Sequence, residues 1–235
     1  LLAAAGVPVE VCGNIGRPLS ACVEGPSGRT FVVELSSFQL EGITSLAPVA
    51  AALLNLSADH LDRHGDLAGY LAAKQRVFAF QEAGAIAVVN ADEPGLAPPD
   101  LAARLRRFSL TGPVADGCWR DRERVVERGP GAVPEELFRL ADLPLAGPHQ
   151  LENAMAAALL ALAAGAPRAG IPAALAAFRG LPHRLQQVGE RDGVTFWDDS
   201  KGTNVGATVR ALEGFAPASV HLILGGRSKG TDLSA

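Results

Sequence analysis

Glu34, the Asp59-His60 pair and Lys74 are the residues of this sequence best equipped for chemistry, each just past an apolar run or in the helix after one. Carboxylates with few nitrogen donors suit Mg²⁺, which prefers oxygen ligands and keeps waters or phosphates in its shell. A zinc site from His60, Asp62 and His64 is the competing use of the same stretch. Its spacing matches no helical zinc pattern, and no outer-shell cue accompanies it. A second group, Asp199-Ser200-Lys201-Gly202-Thr203-Asn204, has His183-Arg184 before it and Lys229 after it. Hydroxyls and a lysine at a helix N-terminus attract anions through free N–H groups and the helix dipole.

Each of these residues also has a plain structural use. Ser36, Asp199 and Ser200 suit helix N-caps, Asn14 a turn, His60 a hydrogen-bonded structural histidine, and Lys74 a snorkelling position. Lysine usage bears on the choice, because Lys74, Lys201 and Lys229 stand against eighteen arginines. A chain that draws its surface charge from arginine keeps lysine where a compact ammonium, able to lose its proton, is wanted.

Strands ending in loops must hold these groups. Residues 31–35 read as a strand buried on both faces, as in a parallel sheet covered by helices, and entered from the turn-like 24–28. Residues 7–11, 49–54 and 86–90 read as further strands, and in such sheets ligands gather at strand carboxyl ends. Gly13-Asn14-Ile15-Gly16 is a turn whose residues tolerate positive φ. It is too short for a dinucleotide fingerprint, and the sequence holds no Walker phosphate loop. Asp66 caps a helix expected from 67 to about 80, with Lys74 on or beside its apolar stripe. Between 105 and 143 the pattern weakens, with 119–126 and 137–140 as expected antiparallel strands. Helices follow at 150–163 and near 171–178, then a boundary at 180–182. A hairpin of 186–190 and 194–197 turns at Asp192-Gly193. A helix opening after 198 and reaching about 212, then a strand at 220–224, suggest the start of a second doubly wound domain.

Composition narrows the function classes. The 235 residues carry a net charge of −4 and are 48% hydrophobic, enough for one or two domains with real cores. Nothing in that balance points to nucleic acid or a membrane surface. Cys12, Cys22 and Cys118 are scattered and odd in number, which fits a reducing compartment without disulfides. The opening Leu1-Leu2-Ala3-Ala4-Ala5-Gly6 looks like the tail of a helix, and the last residues lack a closing element. The sequence is therefore expected to be an interior piece of a longer protein.

Eight motifs then occur in one order: GNIG at 13–16, ELSSFQLE at 34–41, DHLDRH at 59–64, AAK at 72–74, GPHQLENA at 147–154, LPHR at 181–184, DDSKGTN at 198–204 and LILGGRSKG at 222–230. Together they resemble the Mur ligases, and ELSSFQLE with DSKGTN resembles their D-glutamate-adding branch. The resemblance implies an α/β fold: a central P-loop-type ATPase domain over 1–179, without its phosphate loop here. The start of a Rossmann-like C-terminal domain would follow over 180–235. It implies ATP-dependent ligation of D-glutamate to UDP-N-acetylmuramoyl-L-alanine through an acyl phosphate, in peptidoglycan synthesis, by a monomer in the bacterial cytoplasm. It implies Mg²⁺, two ions, with Glu34 and His60 as ligands and Lys74 carbamylated by CO₂ into a further one. Asn14, Ser36 and Gln39 fall near the muramoyl substrate, and Asn153, Arg184 and Asp199 at the nucleotide. Lys201 and Thr203 fall near the transferring phosphate, and Lys229 near D-glutamate. Gln150 stands where the family commonly has Asn, and Arg227 where it often has an acidic residue. The piece alone is expected to be inactive. A folylpolyglutamate-type ligase and an inactive scaffold derived from a ligase are the alternatives.

Overall fold

The computed structural model describes residues 1–145 and 147–226. Its first unit is a two-stranded parallel sheet of β1 (Val9–Gly13) and β2 (Thr30–Glu34). Gly13 lies at φ 112°, and a Cβ there would run into the Glu34 carbonyl. Only glycine lets the two strand ends approach so closely. The expectation that β2 is buried on both faces is corrected: Phe31 is 37% and Val32 44% exposed. Each strand has only the other as a ladder partner, so the described residues leave this ribbon's apolar faces partly open.

α1 (Ser37–Glu41) follows at once, started by a reciprocal capping box. Ser36 Oγ accepts the Gln39 N–H at 3.3 Å, and Gln39 Oε1 accepts the Ser36 N–H at 2.9 Å. The main sheet has six strands in sequence order: β3 (Ala50–Leu53), β4 (Ile86–Asn90), β5 (Arg104–Ser109), β6 (Gly117–Asp121), β7 (Arg124–Arg128) and β8 (Glu135–Arg139). The first three pairings are parallel and the last two antiparallel. β4 is the strand buried on both faces. Val88 joins the core under α4 (Pro148–Ala163) and α5 (Ile171–Ala177), while Ala87 and Val89 pack with Leu53, Phe78 and Leu96 on the other side.

The stretch 119–126, expected as one strand, is a hairpin that turns at Arg122 with φ 56°. β5 is an added parallel strand where the sequence pattern had weakened. Two of its arginines are held by acids, Arg104 by Asp116 at 2.6 Å, and Arg106 by Asp116 at 3.0 Å and by Glu127, which also holds Arg168. α2 (Leu61–His64) is a single turn, and α3 (Leu67–Gln75) is capped by Asp66 as expected but passes into a tighter turn at Arg76–Phe78. β9 (Gln186–Arg191) and β10 (Val194–Asp198) form the expected hairpin with Asp192 and Gly193 at positive φ. α6 (Val205–Leu212) is capped by Asn204, not by Asp199 or Ser200. Residues 220–224 form no strand: no described strand lies alongside to complete a ladder, and Ile223 is 94% exposed. No helix among the described residues is long and apolar enough to cross a membrane.

Candidate functional site

The carboxyl ends of β3 and β4 open into a cleft of about 340 Å³ whose far wall is the chain from Arg184 to Ala211. Asn55 and Ser57 follow β3, Glu93 follows β4, and His149 and Asn153 come from the first turns of α4. Three residues expected at the nucleotide, Asn153, Arg184 and Asp199, line this one cleft. Asp199 Oδ1 accepts the Leu185 N–H at 2.9 Å and its carbonyl accepts the Gly202 N–H at 2.7 Å, which fixes the loop between β10 and α6. His183 and Leu185 sit at φ 63° and 45°, left-handed conformations that side chains other than glycine's rarely take. His183 Nδ1 lies 2.7 Å from Asp198 Oδ2, and that contact, with the Ser200 donors, holds the Asp198 carboxyl down at about 2.

The second group surrounds α1 and α3. Glu34 ends β2, and its Oε1 accepts a hydrogen bond from Asn14 Nδ2 at 3.1 Å. His60 precedes α2 at φ 53°, with its N–H donated to Asp59 Oδ1 at 2.9 Å. The His60 ring meets Phe38 edge-on at 5.0 Å and Tyr70 at 6.3 Å. Lys74 Nζ lies 4.8 Å from the centre of that same Tyr70 ring. His60 and Lys74 thus both meet the Tyr70 ring, and His60 also meets Phe38 of α1, the helix that starts three residues after Glu34. Asn204 Nδ2 reaches Asp59 Oδ2 at 3.5 Å, and a Cβ on Gly206 would press on Ser57 at 3.2 Å. The loop carrying His60 therefore abuts the start of α6. Lys201 and Thr203 are exposed on the approach to that helix, Ser36 and Gln39 are engaged in their capping box, and Lys229 lies outside the described residues.

No three His, Cys, Asp or Glu side chains among the described residues are close enough to cage a metal. Mg²⁺ does not need such a cage, since one or two carboxylates with waters and substrate phosphates suffice. Glu34, exposed at a strand end, and the Asp59-His60 pair have donor chemistry that fits it.

Sequence reading missed the charges within the cleft. Arg210 on α6 stands 3.0 Å from Glu93 and 3.6 Å from the buried Glu152, whose other partner is Asn90 at 3.2 Å. Burial pushes the Glu152 carboxyl up, against the pull of Arg210 and Asn90. His149 Nδ1 is buried without a hydrogen-bond partner. An i, i+4 search cannot find Arg210–Glu152, because the partners are far apart in sequence. A wider depression of about 640 Å³ near the ends of β6, β7 and β8 is walled by ion-paired side chains such as Arg124–Asp121 at 2.8 Å and Arg139–Glu136 at 3.0 Å. Their charges are already matched.

A mainly parallel α/β sheet with a polar cleft at its strand carboxyl ends defines the class of ligand-handling α/β proteins. The Mur ligase middle domain family matches residues 19–161, and the chain belongs to the Mur ligase family. It is 43% identical over 98% of its length to the UDP-N-acetylmuramoylalanine--D-glutamate ligase of Geotalea uraniireducens (strain Rf4), of which it covers 51%. The protein of that name from Myxococcus xanthus (strain DK1622) is 46% identical over 94% of the chain and 50% of the relative. The chain thus spans about half the length of the curated relatives it matches. Among solved structures, MurF from Acinetobacter baumannii superposes with a TM-score of 0.68 at 20% identity, covering 89% of this chain and 49% of that one. MurF from Thermotoga maritima, solved with ADP, gives 0.64 at 19% identity, covering 91% and 52%.

Proposed function

We propose that this chain is the catalytic middle portion of an ATP-dependent amide ligase that joins D-glutamate to UDP-N-acetylmuramoyl-L-alanine in peptidoglycan synthesis. The observation that carries the reading is the cleft at the ends of β3 and β4, where Asn153, Arg184 and Asp199 come together beside the loop of Asp59 and His60. Residues 1–179 form the central domain and 180–235 open a second one. The whole protein acts as a cytoplasmic monomer.

ATP enters the cleft, with Asn153 on its base side and Arg184 and Asp199 on the rest of the nucleotide. Phosphoryl transfer asks a protein mainly for positioning and for positive charge around the phosphates. Lys201 and Thr203, on the exposed approach to α6, face the phosphate that moves. Asn14, Ser36 and Gln39 border the muramoyl-alanine carboxylate, and Lys229 receives D-glutamate. When bound, two Mg²⁺ ions would neutralise charge that develops on the phosphate oxygens. Glu34 and His60 would hold them. Lys74, unlike arginine, has an amine that adds CO₂, losing a proton and gaining a carboxylate. Carbamylated, Lys74 would offer an oxygen donor to the metal. The γ-phosphate passes to the substrate carboxylate, and the D-glutamate amine displaces it as inorganic phosphate.

The test is phosphate release by the full-length protein given ATP, Mg²⁺, UDP-N-acetylmuramoyl-L-alanine and each of several amino acids. Release dependent on D-glutamate supports the reading. Release driven by another amino acid, or none at all, contradicts it.

A further inference from the structure

His64 is buried to 3% side-chain exposure and uses both ring nitrogens on the two ends of α1. Its Nε2 lies 3.0 Å from Ser37 Oγ in the first turn, and its Nδ1 lies 3.2 Å from Glu41 Oε1 in the last. Arg63 Nη2 donates to the other Glu41 oxygen at 2.7 Å, which holds that carboxyl below its ordinary range. A carboxylate only accepts, so a proton on Nδ1 faces Glu41, while Nε2 pairs with the Ser37 hydroxyl. Serine, histidine and carboxylate in this order resemble a nucleophile relay. Ser37 is only 3% exposed, however, and lines neither cleft described above, so no substrate carbonyl reaches it.

The relay has a different consequence four residues back. α2 is one turn long, too short to hold itself together. His60 precedes it in the left-handed conformation, and its carbonyl accepts the N–H groups of Arg63 at 3.0 Å and His64 at 3.1 Å. Whatever anchors Arg63 and His64 therefore fixes the His60 backbone. That anchor is α1, through Ser37 and Glu41. The Phe38 ring adds to it by packing on both imidazoles, at 5.0 Å for His60 and 5.7 Å for His64.

We propose that His64 is a positioning residue: through Ser37 and Glu41 it locks α2 onto α1 and so sets the His60 imidazole at the Mg²⁺–nucleotide site. The claim rests on the reading of His60 given above and deepens it.

The experiment uses the full-length protein with Mn²⁺ as probe. Mn²⁺ affinity of the nucleotide complex is measured by electron paramagnetic resonance, and metal-free nucleotide affinity by fluorescence. Amide exchange is followed at Arg63 and His64. His64→Phe keeps a ring but loses both polar contacts, and is expected to weaken Mn²⁺ about tenfold, the low end of what loss of a supporting group around a metal ligand does. Metal-free nucleotide affinity is expected to stay the same while exchange at Arg63 and His64 speeds up. Ser37→Ala, the milder change, moves both readouts in the same direction by less, and serves if His64→Phe does not fold. His64→Gln, which keeps a donor and an acceptor, recovers part of the loss. Unchanged Mn²⁺ affinity and exchange in His64→Phe and Ser37→Ala overturn the relay. His60→Ala separates the two claims: if it leaves Mn²⁺ affinity intact, the metal reading of His60 fails, and the positioning of a metal ligand fails with it. If it weakens Mn²⁺ while the His64 and Ser37 variants do not, the relay alone fails.

Discussion

Replacing Arg210 by alanine removes the guanidinium that stands 3.0 Å from Glu93 and 3.6 Å from Glu152 across the cleft. Glu152 keeps Asn90, but its carboxylate is only 9% exposed and water reaches it poorly. Breaking a fully buried pair costs about 3–5 kcal/mol. The Arg210 side chain is 40% exposed, and an exposed partner contributes far less. The expected loss is therefore about 1–2 kcal/mol, or about 2–8 °C in Tm for a chain of this size. Glu152→Gln removes the buried charge at the same time as the pair, so the double variant should be more stable than the sum of the singles by about 1 kcal/mol. The pH dependence has a definite sign. Burial raises the Glu152 carboxyl first, with Glu93 and Asp92 adding to the rise and Arg210 and Asn90 opposing it. A raised carboxyl favours the fold below its unfolded value, and that advantage is lost as pH rises through the folded value. Removing Arg210 lifts the folded value further, so the deficit should be small near about pH 5 and larger near about pH 8. Urea and thermal unfolding of the wild type, both singles and the double at the two pH values provide the assay. Strict additivity, or a larger deficit at the acid end, would refute the reasoning.

Lys74→Ala in the full-length protein should abolish phosphate release, and added short carboxylates should restore part of it; failure of every acid to rescue speaks against the carbamate. Asp92→Asn should cost about 2 kcal/mol, because the carboxylate accepts from Ser109 Oγ at 2.7 Å, Thr111 Oγ1 at 2.5 Å and the Leu110 N–H at 2.7 Å. Burial raises the Asp92 carboxyl, yet those bonds outweigh it and hold the group below its ordinary range, so the gap to Asp92→Asn should close as acid titrates the wild type. Gly117→Ala should destabilise by more than about 3 kcal/mol, since a methyl at φ 132° would overlap the Arg107 backbone, and thermal unfolding measures it.

Much of the fold was legible where a local rule fixes the answer. β4 follows from an unbroken apolar run, the β9–β10 turn from Asp192-Gly193, and the start of α3 from Asp66 as its cap. β5 escaped because Arg104, Arg106 and Arg107 hide a strand in which Arg104 and Arg106 are matched by Asp116, just before β6, and by Glu127 on β7. Residues 220–224 failed as a strand for the converse reason: an apolar run forms a strand only where a neighbouring strand accepts its hydrogen bonds. At the site, residue types pointed to Glu34, His60, Lys74, Arg184 and Asp199, and only the motif resemblance added Asn153. The ion pairs of Arg210 and the two-ended grip of His64 were not legible, because each joins elements that only folding brings together.

The central claim is that Glu34 and His60 hold the metal that serves the nucleotide. A crystal of the full-length protein with Mn²⁺ and a non-hydrolysable ATP analogue tests it through the anomalous signal of the metal. The account predicts metal density roughly 2.1 Å from a Glu34 carboxylate oxygen and roughly 2.1 Å from the His60 ring nitrogen, beside phosphate oxygens in the cleft. A metal bound to the nucleotide yet touching neither residue would contradict it.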